Sequence, residues 1–339
     1  MVSVEGLTKS FGEVRALNEV DLAVEEGTVL GLLGPNGVGK TTAVRILATL
    51  LPPDGGHATV AGLDVVRDAE LLRTTIGLAG QFAAVDPNLT GMENLEMVGR
   101  LYHVPRREAR RRVTEILDRF DPLSAANRTA KTYSGGMKRR LDLGASLVGR
   151  PQVLFLDELT TGLDPRSRVD VWDLIRQLVR DGTTLLLTTQ HLDEVDALSK
   201  EIAVIDDGRV IANGTPDELK DKVGGTVLDV RVDREHLAEA ADALYGIACG
   251  GQQVDNERSE MALPVGTDGP AALTEAVRRL DAVGVTIADL AYCKPTLNDV
   301  FLALTGRAVA KTTAGDGGAR EDGSDEPGRR KRRRVRKSR

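Results

Sequence analysis

Gly34, Gly39, Lys40 and Thr41 are residues whose types and spacing could hold phosphate. They fit the pattern of two glycines five positions apart, the second followed by lysine and a hydroxyl residue. Within Gly34-Pro35-Asn36-Gly37-Val38-Gly39-Lys40-Thr41-Thr42 the glycines let the backbone wrap closely, so several N–H groups can point at one anion. Lys40 can reach β- and γ-phosphates, and the Thr41 hydroxyl can ligate Mg²⁺. A second set is Asp157-Glu158, which ends the apolar run 153–156. A carboxylate at the carboxyl end of a central parallel strand lies at the ligand-binding edge of the sheet. Asp157 there can hold Mg²⁺, usually through water, and Glu158 can polarise an attacking water. Ser134-Gly135-Gly136 leads a helical pattern that runs to residue 149. That is a further anion site at a helix start, or an ordinary cap, since Ser and Gly serve both. Phe11 is an aromatic platform for a purine ring, or a hairpin residue covering a core.

These groups need particular elements beneath them. The loop requires a strand before it, supplied by 29–33, and a helix after it, supplied by 43–47. Residues 2–18 read as a β-hairpin bending near Gly12, with a further strand at 20–24. Short strands are expected at 58–60 and at 76–81, the latter ending in Gln81. From 88 to 118 the pattern turns helical, and 105–119 is amphipathic and strongly basic on one side, as a solvated face or a specific contact. This block, about 85–150, interrupts the α/β order like an inserted helical subdomain. A helix over 166–180, a buried strand over 183–189, a helix over 192–199 and a hairpin over 202–212 complete a nucleotide-binding domain of residues 1–222. Thr215 with Glu218 forms a capping box for a short helix.

Composition shifts near Gly224-Gly225. Residues 223–308 then read β-α-β-β-α-β, a small α+β ferredoxin-like accessory domain. Its last helix, over 296–304, places Leu297, Val300, Phe301 and Leu304 at helical spacing. That apolar face is expected to cover its own sheet or a dimer mate. Residues 309–339 lack the apolar side chains to pack and are expected to be disordered.

The whole chain has 339 residues, 41% of them hydrophobic, enough for two cored domains. No stretch of ~18 uncharged apolar residues occurs, so no transmembrane helix is expected. The N-terminus has no basic start and apolar h-region, so no signal peptide is expected. Cys249 and Cys293 stand in no metal or redox spacing and read as ordinary residues of a reducing compartment. The net charge of −6 hides nine positive charges between Arg329 and Arg339, which leaves about −15 on the rest. Nucleic-acid binding by the main body is therefore not expected. The basic end could touch anionic lipid, or be a solvated tail.

Taken in order, the phosphate loop, Gln81, Tyr133-Ser134-Gly135-Gly136-Met137, Asp157-Glu158 and Leu163-Asp164 resemble the nucleotide-binding subunit of an ABC transporter over residues 1–220. Thr188-Thr189-Gln190 and the run from Pro295 through Thr296-Leu297-Asn298-Asp299-Val300-Phe301-Leu302 to Gly306 are similar to the daunorubicin/doxorubicin-resistance ATPases of actinobacteria. The resemblance implies an ABC-type P-loop NTPase that binds ATP and Mg²⁺ in a head-to-tail homodimer. Lys40 and Asp157 of one subunit would face Ser134, Gly135 and Gly136 of the other, with Leu163-Asp164 crossing the interface. Phe11 would stack on adenine. Gln81, beside Thr41 and Asp157 in the metal set, would sense the γ-phosphate and connect to the membrane subunit. It further implies an ATP-hydrolysing motor for a bacterial antibiotic exporter, peripheral at the cytoplasmic face of the membrane, with a separate transmembrane permease.

A soluble ABC-type ATPase acting on ribosomes or nucleic acid is the alternative. Such proteins usually carry two nucleotide domains or a long coiled-coil insertion, and neither is found in this sequence. Three departures matter. Tyr133 and Met137 flank the Ser-Gly-Gly core where Leu and Gln are commoner. Leu159 follows Glu158 where proline is usual, which restores a backbone donor and loosens the turn. Gln190, not His191, falls at the switch-histidine position, and an amide can donate a hydrogen bond but cannot carry charge.

Overall fold

The computed structural model describes residues 1–80, 85–120, 126–223, 226–248, 252–255, 259–266, 269–293 and 296–305. Contacts divide the chain into Met1–Val309, which holds every described residue, and Ala310–Arg339. The tail and Gln81 therefore lie outside the described residues.

The first layer is a four-stranded antiparallel sheet. Its strands are β1 (Val2–Phe11), β2 (Val14–Val24), β4 (Gly55–Val60) and β5 (Leu63–Asp64), in the order β2-β1-β4-β5. The expected separate strand at 20–24 is the second half of β2. Register shifts absorb the irregular stretch, so one bulged strand pairs along the length of β1.

The second sheet carries the phosphate loop. It contains β3 (Val29–Leu33), β6 (Ile76–Gly80), β7 (Val153–Asp157), β8 (Thr184–Thr189), β9 (Glu201–Asp206) and β10 (Arg209–Gly214), in the order β10-β9-β3-β8-β7-β6. All pairs but β9–β10 are parallel. β3, β7 and β8 are buried at every position, as continuous apolar runs in a doubly covered sheet should be. Successive side chains leave opposite faces. Leu30, Leu32, Phe155 and Leu186 pack with the antiparallel sheet and helix α1 (Lys40–Leu47). Leu33, Leu154, Leu156, Leu185 and Leu187 face a second core shared with helices.

Those helices fall mainly between β6 and β7. They are α3 (Gly91–Leu101), α4 (Arg106–Phe120) and α5 (Gly135–Leu147), following the short α2 (Ala69–Leu72). The expected helical stretch over 88–118 is two helices, parted by a turn at His103, whose φ is +54°, ahead of Pro105. Thr90 and Glu93 close a capping box at the start of α3. After β7 come α6 (Pro165–Arg180), α7 (Leu192–Leu198) and α8 (Pro216–Val223). Thr215 and Glu218 make the reciprocal bonds expected of a capping box before α8.

The C-terminal sheet contains β11 (Thr226–Val232), β12 (Gln253–Asp255), β13 (Glu260–Gly266) and β14 (Ile287–Cys293), in the antiparallel order β12-β13-β11-β14. Helices α9 (Leu237–Ala243) and α10 (Gly269–Ala282) share its core. The last helix, α11 (Leu297–Thr305), corrects an expectation. Its Leu297, Val300 and Phe301 are buried with Leu219 of α8 and Val195 of α7, in the core of the nucleotide-binding layer and not in that of the C-terminal sheet. Helical spacing announces an apolar face. Which neighbour covers it depends on the path of the chain.

Candidate active site

The phosphate loop joins β3 to α1, and two of its glycines are required by close packing. A Cβ on Gly39 (φ +107°) would lie 2.2 Å from the Ala16 carbonyl oxygen, and one on Gly34 would lie 2.4 Å from that of Ile205. Pro35, Asn36, Gly37 and Val38 form the turn between them, and Thr42 lies in the first turn of α1. The helix therefore begins at Lys40 with its free N–H groups and positive dipole end toward the loop.

Lys40 is buried. Its Nζ donates to the carbonyl oxygens of Gly34 and Pro35, both at 2.8 Å, and lies 3.6 Å from Glu158 Oε1. Burial lowers its pKa from the usual lysine range, while the neighbouring Glu158 and Asp157 carboxylates act in the opposite sense. The loop thus folds back on its own cation in a geometry that phosphate oxygens can replace.

Asp157 ends β7 level with Thr188 of β8 and Gly80 of β6. Its Oδ1 accepts from Thr41 Oγ1 at 3.0 Å and from Thr188 Oγ1 at 2.6 Å. The carboxylate is therefore fixed from both the phosphate loop and the neighbouring strand. Glu158 has φ +51°, a left-handed backbone rare for a residue with a Cβ, worth roughly 1–3 kcal/mol of strain. Its N–H donates to Thr188 O at 3.0 Å, with Thr188 Oγ1 at 3.3 Å, which holds the turn. Leu159, where proline was the usual residue, has its side chain buried in the core, and the turn is closed by the Glu158–Thr188 bond.

Gln190 follows Thr189, which pairs in register with Leu33, so Gln190 is level with Gly34. Its side chain is half-buried. His191 stands at the N-cap of α7, and its N–H donates to Thr189 Oγ1 at 2.9 Å. The register thus sets Gln190, rather than His191, beside the start of the phosphate loop. Phe11 is 51% exposed at the hairpin end of β1, with Lys9 Nζ 5.9 Å from its ring centroid and held by Asp54 at 2.7 Å. A ring that exposed covers no core, and it is open to a planar ligand.

Ser134 and Gly135 are exposed at the start of α5, where Ser134 Oγ accepts from Met137 N at 3.2 Å. Gly136 is buried against Ser167 of α6, and nothing stands within 4 Å of where a Cβ of Gly135 would be. Asp164 caps α6 by accepting from Ser167. The structure thus brings Lys40, Thr41, Asp157 and Glu158 into one bonded cluster and leaves Ser134 and Gly135 facing outward. Thr188 joins that cluster, although no motif marks it as a ligand of Asp157.

A mainly parallel sheet with a phosphate loop after its first strand in the chain, a carboxylate pair at the end of the next strand but one in the sheet, and a Ser-Gly-Gly helix between the two in sequence defines an ATP-binding cassette. Residues 17–161 match the ABC transporter family. A daunorubicin resistance ATP-binding protein of Streptomyces coeruleorubidus is 54% identical, over 92% of this chain and 97% of that protein. The daunorubicin/doxorubicin resistance ATP-binding protein of Streptomyces peucetius is 48% identical, over 90% and 92%. Among solved structures, the dimeric post-hydrolysis state of an ATP-binding cassette bound to ADP and Pi superposes with a TM-score of 0.57 at 28% identity, covering 63% of this chain and 98% of that one. The chain belongs to the ATP-binding proteins of ABC transporters and, within them, to the daunorubicin/doxorubicin-resistance ATPases. It is an enzyme that hydrolyses ATP.

Proposed function

We propose that this protein powers drug export, in the class of the anthracyclines, through a separate membrane permease. Among the described residues, no helix is long and apolar enough to cross a membrane, which is in keeping with a transport path supplied by another chain. The relatives named for daunorubicin and doxorubicin resistance match over nearly their whole length, which supports the drug class. Work at the cytoplasmic face of the membrane follows from that role. The basic residues between Arg329 and Arg339 would contact anionic lipid there.

The observation that carries the reading is the cluster of Lys40, Thr41, Asp157, Glu158 and Thr188, joined by hydrogen bonds and by the Lys40–Glu158 ion pair. ATP phosphates would enter the loop of residues 34–42, and Lys40 Nζ would exchange its two carbonyl acceptors for β- and γ-phosphate oxygens. Phe11 would stack on adenine. Thr41 Oγ1 and Asp157 Oδ1 are hard oxygen donors 3.0 Å apart, a set that suits Mg²⁺, with Gln81 as a third candidate ligand. When bound, the ion neutralises charge on the β- and γ-phosphate oxygens. Glu158 then orients and polarises the water, and the Gln190 amide donates to the γ-phosphate. Positioning and electrostatics supply most of the acceleration.

Ser134 and Gly135 face outward and, with Gly136 behind them, would complete the ATP site of a second copy, in a head-to-tail homodimer with Leu163 and Asp164 at its interface. Residues 1–222 form the nucleotide-binding domain in this reading, with the helical subdomain at about 85–150. Residues 223–308 form an accessory region whose strand order β12-β13-β11-β14 supports a ferredoxin-like fold and whose last helix, α11, packs on the nucleotide-binding domain.

The test pairs ATPase and resistance assays. Glu158→Gln is expected to keep ATP binding and lose hydrolysis by ~10²–10⁴-fold. Cells expressing the chain with its permease are expected to gain anthracycline resistance that the variant does not confer. Full turnover in the variant would remove Glu158 from catalysis, and unchanged drug sensitivity would overturn the cargo class.

A further inference from the structure

β6 is the outer strand of the parallel sheet, so among the described residues the peptide groups on its free side have no neighbouring strand. Buried backbone donors and acceptors are nearly always paired. At Gly80, the last residue of β6, helix α5 supplies the partners. Arg139 Nη1 donates to the Gly80 carbonyl at 2.6 Å, and Asp142 Oδ2 accepts from the Gly80 N–H at 3.1 Å. The two residues are three apart and share one helix face. Asp142 is 2% exposed, and a carboxylate that buried requires a strong reason to be there.

The other side of Gly80 is equally restricted. It is level with Asp157 in the parallel register, and a Cβ there would lie 2.3 Å from the Asp157 carbonyl oxygen. One peptide therefore stands between the backbone of Asp157 and the helix capped by Ser134. In sequence the next residue is Gln81. Ser134 lies five residues before Arg139, a rigid helical arm of ~7.5 Å at 1.5 Å per residue.

We propose that Arg139 and Asp142 are positioning residues that key the Ser-Gly-Gly helix to the end of β6, so that Ser134 meets a second subunit's ATP only in the register set beside Asp157. The inference rests on the shared-site dimer argued above. Arg139 and Asp142 touch no substrate. They act through the orientation of α5, and a change at Gly80 would move Ser134 with it.

The test compares full-length Arg139→Met and Asp142→Ala with Ser134→Arg. Arg139→Met and Asp142→Ala are expected to lose kcat by about tenfold or more. Both should keep the affinity of the single subunit for a fluorescent ATP analogue. Combined with Glu158→Gln, neither should form the ATP-bound dimer. Arg139→Lys and Asp142→Asn keep a donor and an acceptor and should recover most of kcat. Loss of nucleotide affinity in step with kcat would mean that the pair only supports the fold, and would overturn the proposal. Full kcat in Arg139→Met beside an inactive Ser134→Arg would overturn it and leave the shared site standing. Full activity in Ser134→Arg would overturn both. Should Asp142→Ala fail to fold, the Arg139 pair of variants decides, because that side chain is only partly buried.

Discussion

Thr188→Val isolates one hydroxyl at the centre of the site. Thr188 is 1% exposed on β8, and its Oγ1 reaches Asp157 Oδ1 at 2.6 Å. Valine keeps the β-branched shape, so the strand is undisturbed while the donor is lost. A hydrogen bond to a charged group contributes roughly 1.5–3 kcal/mol. Asp157 would retain only the Thr41 donor of the pair at Oδ1. If the carboxylate must be held in the transition state, that energy corresponds to a loss of ~10–150-fold in kcat. Freed from Thr188, Asp157 should also hold Mg²⁺ less well, so half-maximal activity should need more of the ion. The assay is steady-state ATP hydrolysis by the purified protein across a Mg²⁺ titration, with thermal unfolding measured alongside. A kcat within about twofold of the parent, with an unchanged Mg²⁺ profile, would refute the role given to Thr188.

Gln190→Ala should slow hydrolysis by ~10–150-fold through loss of one hydrogen bond to the γ-phosphate, whereas His191→Ala should change it little. The reverse result would give the switch position to His191. Phe301→Ala should cost ~3–5 kcal/mol, read by denaturant unfolding of the intact chain, because the ring is 4% exposed in the core that α11 shares with α7 and α8. An unaltered midpoint would mean that Phe301 is not packed in that core. Burial lowers the pKa of Lys40 below its ordinary 10.5, so between the folded and unfolded values the unfolded chain binds more protons. Ligand-free stability should therefore rise with pH across that alkaline window, and Lys40→Met should remove this component. Parallel pH slopes for parent and variant would contradict the burial of a charged lysine.

The phosphate loop and the Asp157-Glu158 pair were legible because their chemistry is local. Gly34 and Gly39 are needed where a Cβ would stand 2.2–2.4 Å from a neighbouring carbonyl oxygen, and a continuous apolar run such as 153–156 suits a strand buried on both faces of a parallel sheet. Thr188, Arg139 and Asp142 left no local sign. Their partners lie 31, 59 and 62 residues away, and a threonine in a strand or an arginine in a helix has many ordinary uses. The apolar face of α11 was visible by its spacing, but the surface beneath it is built by residues such as Val195 and Leu219, roughly a hundred positions earlier. The break between α3 and α4 could be expected from Pro105, since proline disfavours helix in the residue before it.

The central claim is that each ATP is hydrolysed between the phosphate loop of one copy and the Ser-Gly-Gly helix of another. Subunits with Lys40→Met lack a working loop, and subunits with Ser134→Arg lack a working signature. Each should be inactive alone. Mixed in equal amounts, they can form dimers in which an intact loop faces an intact signature, at one of the two sites. ATP hydrolysis should return in the mixture, to about a quarter of the parent rate if pairing is random and the two sites are independent. Ser134→Arg hydrolysing ATP at the parent rate on its own, or a mixture no more active than its two components, would contradict the shared site.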